Sequence, residues 1–132
     1  MMTYKAYKFR LYPNEKQTNL IHKTFGCVRL VYNYYLAKQQ KEGIKKAFTN
    51  CNDLKYLQEE KTFLKEADNC ALRCAIFNLE DANNNYLAKR SNYPVFKSKY
   101  VKQSYRTNCI TRIYKDKTYS NIEIDLINRK IK

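Results

Sequence analysis

Residues 14–43, NEKQTNLIHKTFGCVRLVYNYYLAKQQKEG, carry the pattern that decides how this chain folds. Asn14 stands where a helix N-cap belongs, and Gln17 follows three residues later in the capping-box position. Apolar side chains then recur at Leu20, Ile21, Phe25, Val28, Val31, Tyr32, Tyr35 and Leu36, in steps of three and four. That spacing predicts an amphipathic helix. Gly26 interrupts the run and is expected to mark a bend, or a join between two helices, since glycine there costs about 1 kcal/mol relative to alanine. Gly43 is the expected C-terminal stop.

On the N-terminal side, residues 3–12 (TYKAYKFRLY) alternate. Tyr7, Phe9 and Leu11 share one side and Lys8 and Arg10 the other, which predicts a half-buried strand with a basic outer face. Pro13 ends it. On the C-terminal side, Asn50 or Asn52 is placed to cap a short helix carrying Leu54 and Leu57. A longer helix starts near Asp68, with the stripe Leu72, Ala75, Ile76, Leu79, Ala82, Tyr86 and Leu87. Tyr93-Pro94 forces extended chain. Strands are expected over Val101–Thr107 and around Ile122, Ile124 and Leu126, with Asn128-Arg129 turning back into Lys130-Ile131-Lys132. A sheet that ends on the first residues of a return strand is incomplete, and truncation is the expectation. The order is strand, helices, strands: an α+β chain whose helices are inserted between parts of one β unit.

Composition narrows the function. The 132 residues suit a single domain with a real core, being 44% hydrophobic and 14% aromatic. The five cysteines, at 27, 51, 70, 74 and 109, form no Cys-x-x-Cys pair, so neither a disulfide framework nor a zinc site is expected, and they read as small buried groups. No signal peptide or 18-residue apolar run is present, so a cytoplasmic chain with no membrane partner is expected.

Charge is the strongest signal. Residues 1–50 carry ten Lys and Arg against two acids, residues 51–81 four against seven, and residues 82–132 twelve against three. The net charge of +14 calls for a polyanionic partner, and nucleic acid fits two separated basic blocks. Within the second block, Phe96 to Arg106 interleaves cations, hydroxyls and rings: Lys97, Lys99, Gln103, Ser104, Tyr105 and Arg106 can neutralise phosphate, hydrogen-bond it or stack on bases. Lys8 and Arg10 repeat the pattern, and the alternative is a solvated basic strand. Catalytic chemistry is poorly represented. His22 reads as an ordinary helix residue, the two glycines cannot build a phosphate loop, and Glu59-Glu60 and Glu80-Asp81 read as solvated faces. Asp125 has no second acid placed to share a metal ion with it, so no catalytic residue, cofactor or metal is expected.

The run Tyr7-Lys8-Phe9-Arg10-Leu11-Tyr12-Pro13-Asn14 followed by Gln17 resembles the start of the TnpB (OrfB) proteins of bacterial insertion sequences. The resemblance continues through Phe25-Gly26-Cys27-Val28-Arg29-Leu30-Val31-Tyr32-Asn33, Phe63-Leu64, the helix from Asp68 to Leu87, Tyr93-Pro94-Val95-Phe96-Lys97 and Gln103-Ser104-Tyr105-Arg106. It implies an RNA-guided DNA endonuclease whose N-terminal part is a barrel-like β wedge, interrupted by a helical, helix-turn-helix-like recognition lobe. On that pattern residues 1–13 and 93–132 would be a partial wedge and residues 14–92 the lobe. The implied partners are guide RNA and target DNA, with base pairing reading the target. It also implies roles for Arg29, and for Asn69 and Arg73, which lie four apart at a helix start matching the region that reads a short target-adjacent motif. Arg suits guanine and Asn adenine, while the alternative for this pair is a cap-region residue beside a solvated cation. The family's RuvC-like acids and zinc-ribbon cysteines have no counterparts in this sequence, so cleavage does not carry over. The expectation is a nucleic-acid-binding N-terminal fragment without the nuclease, whose missing part is encoded separately or lost. The alternatives are a free-standing helix-turn-helix regulator of transposition, with its helices in 14–43, and a transposon remnant without function.

Overall fold

Asn14 caps the first helix as its sequence requires. In the computed structural model, which describes residues 1–44, 53–109, 111–120 and 122–131, Asn14 Oδ1 accepts from Gln17 N and Gln17 Oε1 accepts from Asn14 N, both at 2.9 Å. Helix α1 then runs without a break from Glu15 to Glu42. The join between two helices that Gly26 allows does not form. Thr24, Cys27 and Val28 are buried around it, and that packing outweighs the glycine's weaker helix propensity. Gly43 ends the helix at φ 88°, its N–H donating to Gln39 O at 2.8 Å. A single helix over these residues also means that no helix pair lies within 14–43.

Helix α2 spans Asp53–Glu60, a 3-10 turn spans Thr62–Glu66, and α3 spans Asn69–Leu87. Asn50 and Asn52, the expected caps of α2, lie outside the described residues. Asp68 caps α3, accepting from Cys70 N at 3.0 Å. The cross-links fix the helix directions. Asp53 at the start of α2 pairs with Lys38 near the end of α1, and Lys23 near the start of α1 meets Glu66 just before α3, at 3.0 Å. Gln39 meets Asn83 near the end of α3. So α2 returns along α1, and α3 runs beside α1 in the same direction.

The core sits between these helices, with Val31, Leu36, Leu57, Leu64, Leu72 and Leu79 essentially without solvent exposure. One polar pair interrupts it. Gln39 Nε2 donates to Asn83 Oδ1 at 2.9 Å and Asn83 Nδ2 donates to Gln39 Oε1 at 2.8 Å, both side chains being buried. Reciprocal pairing satisfies both amides where an unpaired one would be costly.

The β structure is slight. Strand β1 (Thr111–Tyr114) pairs antiparallel with β2 (Lys117–Ser120), and β3 (Ile124–Asp125) with β4 (Lys130–Ile131). Lys115 and Asp116 both take positive φ, 46° and 60°, the two-residue turn that matches strand twist. The return at Asn128-Arg129 forms as expected, with Ile124 opposite Ile131. Every residue of β1 and β2 is exposed. The chain is thus α+β, but its sheets are separate two-stranded ribbons and no closed barrel forms among the described residues. The expected strands at 3–12 and 101–107 are not formed either. Neither segment pairs with either ribbon, although both ribbons have open edges, and Tyr7 and Leu11, with no second layer to cover them, stay more than half exposed.

Candidate nucleic-acid interface

The segment Tyr93–Thr107 lies along α1 in the opposite direction, as a strap. Tyr93 Oη accepts from Gln39 Nε2 at 3.0 Å, and its ring meets that of Tyr86 at 5.2 Å. One and a half turns back along α1, Asn33 holds the peptide groups of Lys97: Asn33 Nδ2 donates to Lys97 O at 2.9 Å, and Lys97 N donates to Asn33 Oδ1 at 2.8 Å. A further turn back, Arg29 Nη1 donates to Gln103 Oε1 at 3.2 Å. Phe25 then packs edge-on against Tyr105 at 5.5 Å. The strap ends where the Thr107 hydroxyl bonds Asp68, so one aspartate both caps α3 and holds the strap.

Sequence explains why this segment has no acid to oppose a phosphate. Tyr93–Thr107 contains Lys97, Lys99, Lys102 and Arg106 and no Asp or Glu. Lys97 Nζ stands 4.4 Å from the centroid of the Tyr32 ring, a cation–π contact at the seam. Burial raises the Tyr32 hydroxyl above the usual tyrosine range. A shallow groove opens between helix and strap, lined among others by Arg29, Lys97, Ser98, Lys102, Gln103 and Ser104.

Of the residues picked from sequence, the structure brings Arg29, Lys97, Gln103, Ser104 and Tyr105 together here. Two of them face inward. Arg29 and Gln103 are half-buried and bonded to each other, so they brace the strap. Lys99 and Arg106 are exposed on the same segment. Asn69 and Arg73 lie on an exposed part of α3 beside the strap's end, and Asn69 Oδ1 already accepts from Gln58 Nε2 at 3.2 Å. Lys8 and Arg10 are elsewhere, on the exposed N-terminal segment, where Arg10 lies 5.9 Å from the ring of its neighbour Tyr12.

Sequence reasoning passed over Asn33, Gln39 and Asn83, and Lys102 entered only as part of the basic run from Phe96 to Arg106. A signal existed for the amides. Gln39 continues the apolar stripe three residues after Leu36, and Asn83 stands four after Leu79, so each is a polar residue on a core face. Of the cysteines, Cys27 and Cys74 are buried as expected, but Cys109 is exposed. Burial, with Glu66 nearby, raises the Cys27 thiol, whereas the Ser120 hydroxyl, 2.8 Å away, lowers that of Cys109. Among the described residues no cluster of three or more His, Cys, Asp or Glu could hold a metal ion. No described helix is long and apolar enough to cross a membrane.

Comparison with known proteins gives this geometry a family. Residues 1–46 match a helix-turn-helix domain characteristic of OrfB proteins of the IS605 type. A protein of Streptomyces pristinaespiralis, named as an RNA-guided DNA endonuclease, is 37% identical over 107 residues, a match covering 72% of this chain. The match covers only 25% of that relative's length. No solved structure matches the chain. The motifs from Tyr7 to Arg106 and these two matches agree: the chain carries the N-terminal helix-turn-helix region of the TnpB (OrfB) proteins of insertion sequences.

Proposed function

We propose that this chain binds nucleic acid through the strap on α1, taking the RNA partner of a TnpB-type system as its ligand and cutting nothing by itself. The observation that carries the reading is the acid-free strap, whose four cations lie on a segment fixed to the helical core by side-chain clamps. Lys97, Lys99, Lys102 and Arg106 neutralise phosphates, and Ser104 adds a hydroxyl donor. Lys8, Arg10, Asn69 and Arg73 extend the contact beyond the strap, with Tyr105 held against Phe25 at its lower end. The same proposal keeps residues 1–13 and 93–132 as one nucleic-acid-facing unit around the helical lobe of 14–92. Target DNA is a partner only alongside a nuclease part supplied elsewhere.

The test is a titration of the purified chain against RNA from its own element's end, a control RNA and duplex DNA at two salt concentrations. Preference for the cognate RNA is expected. Replacing Lys97, Lys99, Lys102 and Arg106 together by Gln should lower the slope of log K against log salt by about one per cation removed. An unchanged slope, or metal-dependent cutting of DNA by the chain alone, would overturn the proposal.

A further inference from the structure

The strap is longer than the helix surface it covers. From Phe25 to Gln39 is fourteen residues of α1, about 21 Å of axis. The strap spans the same distance with twelve residues, Tyr93 to Tyr105, which would reach about 40 Å if extended. The surplus gathers in one place. Between the Asn33–Lys97 clamp and the Arg29–Gln103 bond, six strap residues match four helix residues, about 6 Å of axis.

The chain therefore loops outward at Ser98–Gln103, and Gln103 closes the loop. Its Nε2 donates to Ser98 O and to Val101 O, both at 3.1 Å, while its Oε1 is held by Arg29. Tyr100 N donates to Ser98 Oγ at 3.2 Å. What this closed loop presents is unusual. Tyr100 is 87% exposed at the tip, beside Val101 at 58%. Lys99 Nζ lies 5.1 Å from the Tyr100 ring centroid, and Lys102 is exposed on the other side. Single exposed aromatics are common, but this one stands on a tied loop, flanked by cations, on a segment with no acid.

We infer that the Ser98–Gln103 loop binds an unpaired nucleotide, with Tyr100 stacking on the base and Lys99 and Lys102 on the adjacent phosphates. The inference rests on the phosphate-binding reading of the strap and narrows it to single-stranded RNA or DNA. A base inside a duplex has both faces covered by its neighbours and offers no face to a ring, whereas an unpaired base does. Stacking tolerates any base, so the loop selects strandedness rather than sequence. Gln103 and Arg29 are positioning residues: by holding the loop before binding, they reduce the ordering that binding would otherwise require.

The chain contains no tryptophan, so Tyr100→Trp places a single indole at the loop tip. Its emission is followed while the protein is titrated with a short oligouridine, an abasic strand of equal length and a duplex. Oligouridine should quench the indole and the abasic strand should not. Tyr100→Ala should weaken oligouridine binding about 5- to 100-fold and leave duplex affinity unchanged, while Tyr100→Phe keeps the single-strand preference. Gln103→Leu, which leaves the ring in place, should also weaken oligouridine selectively. Equal quenching by the abasic strand, or oligouridine affinity unaffected by Tyr100→Ala, would overturn the inference while leaving the phosphate-binding reading intact. Failure of all three probes to bind would overturn that reading, and this one with it.

Discussion

The side-chain amide of Asn33 pairs with the backbone of Lys97 as one strand pairs with another, giving a donor to its carbonyl at 2.9 Å and an acceptor to its N–H at 2.8 Å. A helix side chain thus fixes a loop's backbone while leaving the lysine side chain free to lie over Tyr32.

Asn33→Ala removes both bonds from a partly solvated site, where each is worth about 1 kcal/mol. Hydrogen exchange at the Lys97 amide should accelerate by at least about fivefold, while the thermal midpoint of the helical core hardly moves. Unchanged exchange at Lys97 would show that the clamp does not hold the strap.

The buried pair Gln39 and Asn83 obeys a different rule. Gln39→Leu leaves the Asn83 amide buried without its partner and removes the donor to Tyr93. Loss of about 1–3 kcal/mol is expected in urea unfolding. Replacing both residues by leucine should recover most of that loss, because no buried amide then lacks a partner. A double variant as unstable as the single one would count against this account.

Gly26→Ala should stabilise the chain. A Cβ at this position meets nothing within 4 Å, and alanine is the better helix former by about 1 kcal/mol. The thermal midpoint should rise by about 4 °C. A fall would mean that the backbone at Gly26 uses a freedom that alanine lacks.

Asp125 makes the β3–β4 turn pH-dependent. Its Oδ1 accepts from the N–H groups of Asn128 and Ile127, both at 3.0 Å, and its Oδ2 accepts from Asn128 Nδ2 at 2.7 Å. The Asn128 N–H, then its side-chain amide, holds the carboxyl below the usual aspartate range. Because the folded value is the lower one, the stabilisation is complete above the ordinary aspartate pKa and is lost as pH falls through the lowered value. Carbon NMR of the Asp125 carboxyl, with amide exchange at Ile127 and Asn128, should show both changes together. Asp125→Ala should abolish the step and raise exchange wherever the carboxyl is ionised, the variant and the wild type converging at low pH.

The parts of this fold that announce themselves in sequence are those set by local chemistry. Asn14 with Gln17, Gly43 and Asp68 mark helix ends because side chains near in sequence satisfy the end groups. The stripes from Val28 to Leu36 and from Leu72 to Leu79 locate the core for the same reason, while their outer members Leu20, Tyr86 and Leu87 stay exposed. Gly26 misleads, because neighbours distant in sequence decide whether a glycine bends a helix. Alternation at Tyr7, Phe9 and Leu11 is compatible with a strand, but a strand also needs a partner, and the segment pairs with neither ribbon. The β1–β2 hairpin hides because Lys115-Asp116 is not a common pair for its turn, although Asp tolerates positive φ. Within the candidate site, the cations were legible from composition. The division between residues left exposed and residues that brace the strap was not, since Arg29 and Gln103 lie 74 positions apart and only folding makes them neighbours.

Along the middle of the strap, the protein grips peptide groups rather than side chains: the N–H and carbonyl of Lys97 and the carbonyls of Ser98 and Val101. Peptide groups are the same whatever residue carries them. Between Lys97 and Lys102, lineages can therefore exchange lysine for arginine, or one aromatic for another, without loosening the attachment. Descent can vary the exposed chemistry while inheriting the scaffold unaltered.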